Sequence, residues 1–292
     1  MERRLRRIAF TALAVIPALG LFIGAGAVAN ASSGQAATSA SASHASDAGA
    51  QAKAAAVAFI KTLRVGFHSQ SHPMASRVSG LTQVTSTNWS GYADTGSSFS
   101  EVSAKWTEPT PSCSGSRTTS LAAFWVGIDG YSSSSVEQDG TLIECYEGGA
   151  YQYTWWEIYP VNSIQVVGES LAAGDAITAS VTRSGTSYTL KVTDSTHSAN
   201  SFSTTQTYAS AANSSAEWIA EAPSGSSGVE PLAKFSTWTS ANSDVTEGST
   251  AGVISSFTDD EITMDTSSGA TEAQPSSLNS SGNSFSVTWV RS

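Results

Sequence analysis

Between residues 124 and 160 the chain reads Phe124-Trp125-Val126-Gly127-Ile128-Asp129-Gly130, continues through Gln138-Asp139-Gly140, and closes as Tyr153-Thr154-Trp155-Trp156-Glu157-Ile158-Tyr159-Pro160. Acidic and amide side chains are interspersed here with aromatic ones. A later stretch, Ala216-Glu217-Trp218-Ile219-Ala220-Glu221, repeats the pattern of a carboxylate beside a tryptophan. A fold does not require this mixture, whereas a chemical site often does. We therefore predict that the two stretches build one cleft.

Alternation along the first stretch places its side chains on two faces. In an extended strand alternate side chains share a face, so Trp155, Glu157 and Tyr159 point one way and Trp156 points the other. Because both faces carry aromatic residues, we predict that one fills a core and the other lines a groove. Desolvation in a groove raises a carboxyl pKa, which suits a general base or acid that works in acid. The alternative is that Glu157 occupies a solvated strand position.

In the second stretch Glu217, Ile219 and Glu221 share a face by the same rule. For Glu221, which lies beside Pro223 and a loop of Gly and Ser, a solvated position is the favoured interpretation. On the residues alone, Glu157 ranks above Glu217 as the catalytic carboxylate.

From residue 83 onward the chain consists of short runs rich in Val, Thr, Ile, Tyr and Trp, separated by Gly, Ser, Asn or Asp, which is typical of strands. Ser184-Gly185-Thr186 joins two alternating runs and marks the clearest hairpin. We see no convincing helix in this part. The spacing predicts an all-β fold, one large antiparallel sandwich or barrel.

The N-terminal part has a different character. Residues 1–31 combine a basic start, an apolar run and Ala29-Asn30-Ala31, which predicts a signal peptide and secretion to the extracellular space. The alternative is a membrane anchor. Residues 32–83 are predicted to be a pro-segment, with a helix over 51–66, although a simple linker is the alternative. All eight tryptophans and eight tyrosines lie in residues 84–292, the predicted sandwich domain.

Charge and cysteine content narrow the function classes. Residues 83–292 carry 22 acidic and six basic groups, which argues against nucleic-acid binding. An acidic working environment relieves the resulting repulsion, but general solubility explains the charge equally well. Cys113 and Cys145 are the two cysteines, and in an exported protein an even count favours a disulfide over a catalytic thiol.

The sequence lacks the residues that a catalytic triad or a transition-metal site would need. The β region has one histidine, His197, in a polar segment that reads as a solvated loop, so a serine or cysteine triad is disfavoured. No close set of His and Cys ligands indicates a transition metal. Calcium at Asp259-Asp260-Glu261 and Asp265 is less favoured than an exposed acidic turn. Gln138 remains notable, because a primary amide does not titrate and can stabilise an oxyanion in acid.

Four motifs together resemble one enzyme family. They are Trp125-Val126-Gly127-Ile128-Asp129-Gly130, the following Gln138-x-Gly140, Trp155-Trp156-Glu157-x-Tyr159-Pro160 and Ala216-Glu217-Trp218-Ile219. In this order they look like the glutamic peptidases, the eqolisin family of scytalidoglutamic and aspergilloglutamic peptidases. Asn88-Trp89-Ser90-Gly91-Tyr92 resembles the start of their mature enzymes. The segment from Gly130 to Gln138 is shorter than in the fungal pattern.

The resemblance implies a concanavalin-like sandwich of two antiparallel sheets of about seven strands each. It implies a pepstatin-resistant endopeptidase active at acid pH, with Gln138 and Glu217 as a catalytic dyad, so the order of Glu157 and Glu217 reverses. Supporting cleft residues would be Trp89, Trp125, Asp129, Trp155, Glu157 and Tyr159. We expect peptide substrates, no cofactor or metal, no membrane contact after processing, a monomer, and a basic pro-segment that inhibits the acidic cleft.

Two other function classes stay open at this point. A secreted lectin-like carbohydrate-binding module would use the aromatic groove without chemistry. A glycoside hydrolase would place two carboxylates such as Glu157 and Glu217 about the scissile bond. Fold alone does not separate these functions.

Overall fold

The computed structural model describes residues 49–63, 76–78, 81–113 and 118–292. The chain divides into two compact units, Met1–Asp47 and Ala48–Ser292, and the described residues belong to the second. The predicted signal peptide (residues 1–31) and residues 32–48 and 64–75 of the predicted pro-segment lie outside the described residues. In the parts of the chain that the structure describes, no helix has the length and apolar character needed to cross a membrane.

Strands dominate the second unit, which confirms the all-β prediction. In the first half they are β1 (Ser76–Val78), β2 (Leu81–Ser86), β3 (Trp89–Thr95), β4 (Phe99–Thr107), β5 (Ser120–Asp129), β6 (Val136–Tyr146), β7 (Gly149–Tyr159), β8 (Asn162–Gly168), β9 (Ala176–Ser184) and β10 (Ser187–Asp194). In the second half they are β11 (Phe202–Thr207), β12 (Ser215–Glu221), β13 (Ser224–Gly225), β14 (Gly228–Val229), β15 (Trp238–Glu247), β16 (Thr250–Val253), β17 (Thr258–Asp265), β18 (Thr271–Pro275) and β19 (Phe285–Trp289). Single 3-10 turns lie at Ser198–Asn200 and Ile254–Ser256.

The first sheet carries the stretches singled out in the sequence. Its strands run in the order β8-β7-β6-β5-β12-β3-β17-β2. All these neighbours are antiparallel except β17 and β2. Strands β5 and β12 are buried along nearly their whole length, so their side chains are covered on both faces. This explains why β5 is almost continuously apolar or aromatic, whereas β12 also buries Ser215, Glu217 and Glu221.

The second sheet packs against one face of the first and runs in the order β11-β10-β9-β4-β15-β16. Buried residues alternate with exposed ones along β9 and β10, as expected when only one face is covered. The predicted hairpin turn joins these two strands, with Gly185 at a positive φ of 63°. The first half of β15 pairs with β19 and the second half with β4, so hydrogen bonding continues between the layers instead of forming two separate seven-stranded sheets.

The main core fills the space between the two sheets. It combines Phe124, Val126 and Trp218 of the first sheet with the apolar side of β4, β9 and β10. Aromatic side chains meet edge to face here, as between Phe124 and Phe235, whose ring centroids are 5.0 Å apart. Edge-to-face contacts add to the free energy gained from burial alone. Cys113 and Cys145 are joined by a disulfide beside this core.

A second apolar cluster lies on the other face of the first sheet. It includes Trp89, Trp125, Tyr153 and Trp155, all fully buried. Trp156, Ile158 and Trp218 belong instead to the main core. The two faces predicted from strand alternation are therefore confirmed. We call this second face the cleft face.

A helix covers part of the cleft face. Residues 49–60 are helical, and residues 61–62 form a turn, so the helix ends earlier than the predicted residue 66. Ala56 and Ile60 are buried at a spacing of four residues, which places them on one face of the helix. Leu63, directly after the turn, is buried as well. Ile60 and Leu63 pack into the cluster of the cleft face. Lys53 donates to the Glu169 carbonyl, and its Nζ lies 3.7 Å from Glu169 Oε2.

Candidate active site

The register of the first sheet places the two dyad residues in one transverse row. In that row Asp260 lies opposite Ala93, and Ala93 lies opposite Glu217. Glu217 lies opposite Gly127, which lies opposite Gln138, and Gln138 lies opposite Glu157. Directly opposed residues share a face of a sheet, and this row belongs to the cleft face. We call these six residues the dyad row.

Gln138 and Glu217 stand on either side of Gly127. They are two strand spacings apart, about 10 Å between backbones, so two long side chains can reach toward each other over a residue that has none. A Cβ added at Gly127 would lie 2.8 Å from the Trp125 ring and 3.3 Å from the Gln138 Cβ. Glycine is therefore needed at 127 for the ring, the amide and the carboxyl to share this space.

The Gln138 side chain is fully buried and held by its neighbour in the row. Its Nε2 donates to Glu157 Oε2 at 3.1 Å. Glu157 is itself buried, so the predicted solvated alternative does not describe this residue. The hydrogen bond orients the amide, and a primary amide has two N–H donors.

Glu217 is a buried carboxyl, as are Asp94, Glu137 and Asp139. Neither of its oxygens has a donor at hydrogen-bonding geometry among the described residues. Burial raises the pKa of Glu217 well above its ordinary value, and the charges of Asp129 and Glu137 raise it further. The nearby Ser215 hydroxyl and Tyr131 backbone N–H lower the pKa. Ser215 and Tyr131 therefore lie close to the carboxyl, and its two oxygens retain acceptor capacity for a water molecule or a ligand.

The next row of the cleft face forms an aromatic floor. Trp125 lies opposite Gly140, and Gly140 lies opposite Trp155. A Cβ at Gly140 would lie 2.1 Å from the Phe124 carbonyl oxygen, so this glycine permits close approach of the strands. Trp89 meets Trp125 edge to face, with centroids 5.0 Å apart. These rings exclude water from one side of the dyad row.

The prediction that Glu221 occupies a solvated position is wrong. It is fully buried on the cleft face, because it lies two residues beyond Ile219 on β12. Trp125 Nε1 donates to Glu221 Oε2 at 2.9 Å, and Asn88 Nδ2 donates to Glu221 Oε1 at 3.4 Å. Glu221 therefore fixes the orientation of the floor indole. Its shared face with Glu217 was the sequence signal that pointed to this role.

Asp129 and Tyr159 occupy different parts of the site. The Asp129 carboxylate accepts bonds from the backbone N–H groups of Asn213 at 2.7 Å and Ser214 at 2.9 Å, and from the Ser214 hydroxyl at 3.0 Å. It therefore anchors the start of β12. Tyr159 lies opposite Val136 and packs against the cleft-face cluster, one step beyond the dyad row.

Two residues near the dyad were missed in the sequence. Asp260 was considered there only as part of an acidic turn, yet it belongs to the dyad row. Tyr131, in the turn between β5 and β6, donates its phenol O–H to Asp260 Oδ2 at 2.6 Å. Local sequence could not pair residues 129 positions apart. The order of the strands brings them together.

Glu137 and Asp139 flank Gln138 in the chain but point to the opposite face. Both are buried. Burial raises the pKa of Glu137 to about 9 and raises that of Asp139 well above its usual value. Of this acidic stretch, Gln138 alone faces the dyad row, because its neighbours alternate away from it.

A cluster of potential metal ligands lies elsewhere in the described part of the chain, at Asp175, Asp194 and His197. Its oxygens are already engaged. Asp175 binds the His197 ring at 2.8 Å and the Ala172 N–H, and Asp194 accepts from the backbone of residues 196 and 197 and from Asn200. This network braces a loop, and each of the four carboxylate oxygens accepts a hydrogen bond within it.

Comparison with known families identifies the family to which this chain belongs. The model of the Peptidase A4 family matches residues 87–289, which include every residue of the dyad row. The chain belongs to the Peptidase A4 family. This confirms the resemblance to glutamic peptidases drawn from the four motifs.

Individual relatives agree with this membership. Scytalidopepsin B of Scytalidium lignicola is 40% identical over 96 residues, 32% of this chain and 35% of that relative. The match thus spans about a third of the curated relative's length. A crystal structure of scytalido-glutamic peptidase with a transition state analog inhibitor is 25% identical, with a TM-score of 0.60, and is matched over 70% of this chain and 98% of that one. Aspergilloglutamic peptidase from Aspergillus niger is 27% identical, with a TM-score of 0.51, over 59% and 99%.

Proposed function

We propose that this glutamic-peptidase family member is a secreted acid endopeptidase that hydrolyses peptide bonds with Glu217 and Gln138. One observation carries the proposal: a buried carboxyl and a buried amide flank Gly127 in one row of the sheet. The transition state analog inhibitor bound by scytalido-glutamic peptidase supports a peptide-hydrolysing cleft in a fold of this kind.

The chemistry needs only these two side chains. Water that enters the opened cleft favours the ionised form of Glu217, because it reverses the desolvation that raises the pKa of this carboxyl. Ionised Glu217 then takes a proton from water, and the oxygen attacks the scissile carbonyl carbon. Gln138 donates an N–H to the oxyanion that forms, which is electrostatic stabilisation independent of pH. When the tetrahedral intermediate collapses, protonated Glu217 gives its proton to the leaving amine. The products are a carboxylic acid and an amine, and no covalent enzyme intermediate or cofactor is required.

Glu157 supports this chemistry as an orienting group. Its hydrogen bond from Gln138 Nε2 leaves the second N–H of the amide for the oxyanion. In a glycoside hydrolase Glu157 would instead act on the substrate, and Gln138 would be dispensable. The position of Gln138 between the two carboxylates in the row favours the peptidase.

We further propose that the segment before the sandwich is a pro-segment that inhibits the cleft of a monomeric enzyme. Ala56, Ile60 and Leu63 make the contact apolar. The ion pair of Lys53 with Glu169 is half exposed, so it contributes little free energy, and Lys61 is exposed. The helix therefore covers the cleft mainly by apolar burial, with charge in a minor part.

The dyad is tested by casein cleavage in acid with the full chain. Glu217→Gln and Gln138→Ala should each lower kcat/KM at least 100-fold, the scale for losing a donor to the oxyanion. Glu101→Gln, an exposed carboxylate on β4, is the matched control and should cleave normally. A chain that turns over glycans and tolerates Gln138→Ala would be a glycosidase. One that binds glycans without turning over either substrate would be a lectin.

A further inference from the structure

The turn between β5 and β6 crosses the sheet to reach β17. Tyr131 donates its phenol O–H to Asp260 Oδ2 at 2.6 Å. Strands β12 and β3 lie between β5 and β17. Because Asp260 lies next to Ala93 in the dyad row, this hydrogen bond brings the Tyr131 side chain across β12 and β3 toward the part of the row that holds Glu217 and Ala93.

The residues under this crossing leave room for it. Ala93 separates Asp260 from Glu217 in the row and is buried. A larger side chain at 93 would occupy the space that the Tyr131 ring spans. The turn is also braced internally, since the Gly130 N–H donates to Ser133 Oγ at 3.0 Å and Ser133 Oγ donates to the Ser135 carbonyl at 2.9 Å. Gly130 adopts a φ of 107°, which favours glycine.

The same turn also interacts with Glu217. The Tyr131 backbone N–H lies near enough to lower the pKa of Glu217. In the other direction, burial, the hydrogen bond to Asp260 and the charge of Glu217 all raise the pKa of the Tyr131 phenol. Tyr131 therefore contacts Asp260 through its side chain and influences Glu217 through its backbone.

We propose that the Tyr131–Asp260 hydrogen bond is a clasp that holds the β5–β6 turn over Glu217, making Tyr131 and Asp260 positioning residues of the dyad. The clasp closes the side of Glu217 away from Gln138. Water then reaches the carboxyl from the Gln138 side, where the amide can act on the same substrate. This role rests on the proposed function, because it concerns the orientation of the proposed base.

Steady-state kinetics of the full chain after acid incubation test the clasp. Tyr131→Phe and Asp260→Ala should each lower kcat about tenfold, the scale of losing one hydrogen bond to a charged group, while KM stays within about twofold. Asp260→Asn keeps an oxygen acceptor and should retain most of kcat. The double variant Tyr131→Phe/Asp260→Ala should be no worse than either single one.

Tyr188→Phe is the matched control. Its phenol donates to Asn213 Oδ1, also at 2.6 Å, from the main core, so it should lower stability without lowering kcat. Equal losses of kcat in Tyr131→Phe and Tyr188→Phe would overturn the clasp, as would an Asp260→Asn variant as impaired as Asp260→Ala.

Hydrogen exchange separates the clasp from the proposed function. Tyr131→Phe should speed amide exchange in residues 130–135 of the full chain, and Tyr188→Phe should not. Unchanged exchange in Tyr131→Phe would overturn the clasp. A fully active Glu217→Gln variant would instead refute the dyad. The hydrogen-exchange result would still test the clasp, because it does not depend on catalysis.

Discussion

Small residues decide whether the long side chains of the dyad row can meet. Ala93 and Gly127 stand on either side of Glu217, and neither fills the space above the sheet. Larger side chains at these two positions would compete with the Glu217 carboxyl for the space above the sheet. A row of uniformly large residues would have filled the same space and left no site.

Gly127→Ala tests this requirement. The new Cβ would lie 2.8 Å from the Trp125 ring, so the ring or the strand must shift. Overpacking of this kind costs about 1–3 kcal/mol of stability, and displacement of Gln138 should lower kcat/KM at least about tenfold, because catalysis depends on alignment. Thermal unfolding and casein kinetics measure the two effects. Unchanged kinetics would show that the glycine serves folding alone.

Glu221 offers a second test at a single residue. Glu221→Gln keeps an oxygen that can accept the Trp125 indole N–H, whereas Glu221→Ala leaves that buried donor unsatisfied. An unsatisfied buried donor costs about 1–3 kcal/mol, so Glu221→Ala should unfold at lower temperature and cleave more slowly than Glu221→Gln. If the two variants behave alike, the hydrogen bond of 2.9 Å between Trp125 and Glu221 does not fix the orientation of the Trp125 ring.

At the scale of elements, the helix of residues 49–60 and the strands of the first sheet form one apolar contact. Ile60 and Leu63 are in contact with the cluster that holds the cleft tryptophans. Burial is the largest cause of the raised pKa of Glu217. We propose that the helix covers the cleft face and so limits access of substrate to it.

Ile60→Ser should weaken this cover. Removing a buried aliphatic side chain costs about 2–5 kcal/mol, so the precursor should convert faster in acid than the unchanged chain. Lys61→Ser, at the exposed neighbouring position, is the control and should convert at the normal rate. Gel analysis of an acid time course measures both. A faster conversion of Lys61→Ser than of Ile60→Ser would indicate that charge dominates the contact.

The local pattern predicted strands and their faces better than it predicted the site. Alternation correctly placed Trp155 and Glu157 opposite Trp156, because that rule needs only neighbours in the chain. It left Glu221 in solvent, because burial of β12 depends on its position between β3 and β5. The pairing of Tyr131 with Asp260 depends on strand order, which no short segment encodes.

For the whole molecule, buried carboxyls couple stability to pH. Burial raises the pKa of Asp94 and Glu137 to about 9 and that of Glu108 and Glu144 to about 7. In the unfolded chain such groups ionise near pH 4. Above that pH the unfolded state loses protons that the folded state retains, so the free energy of unfolding falls as pH rises.

We therefore expect the highest stability in acid. The melting temperature should decline from about pH 4 toward the folded pKa values of about 7 and 9. Asp94→Asn should reduce this decline, because the amide cannot ionise, and Asp244→Asn, at an exposed position, should not. Calorimetry across this pH range measures the slopes. A melting temperature that rises from acid to neutral pH would contradict the sign.

The most direct test of the central claim is a double-mutant cycle on kcat/KM for a peptide substrate in acid. Gln138 and Glu217 act on one transition state, so the account predicts that Gln138→Ala, Glu217→Gln and the double variant lose activity to a similar extent, as residues that act as a unit do. Losses that simply multiply would mean that the two side chains work independently. A Glu217→Gln chain with normal turnover would contradict the dyad altogether.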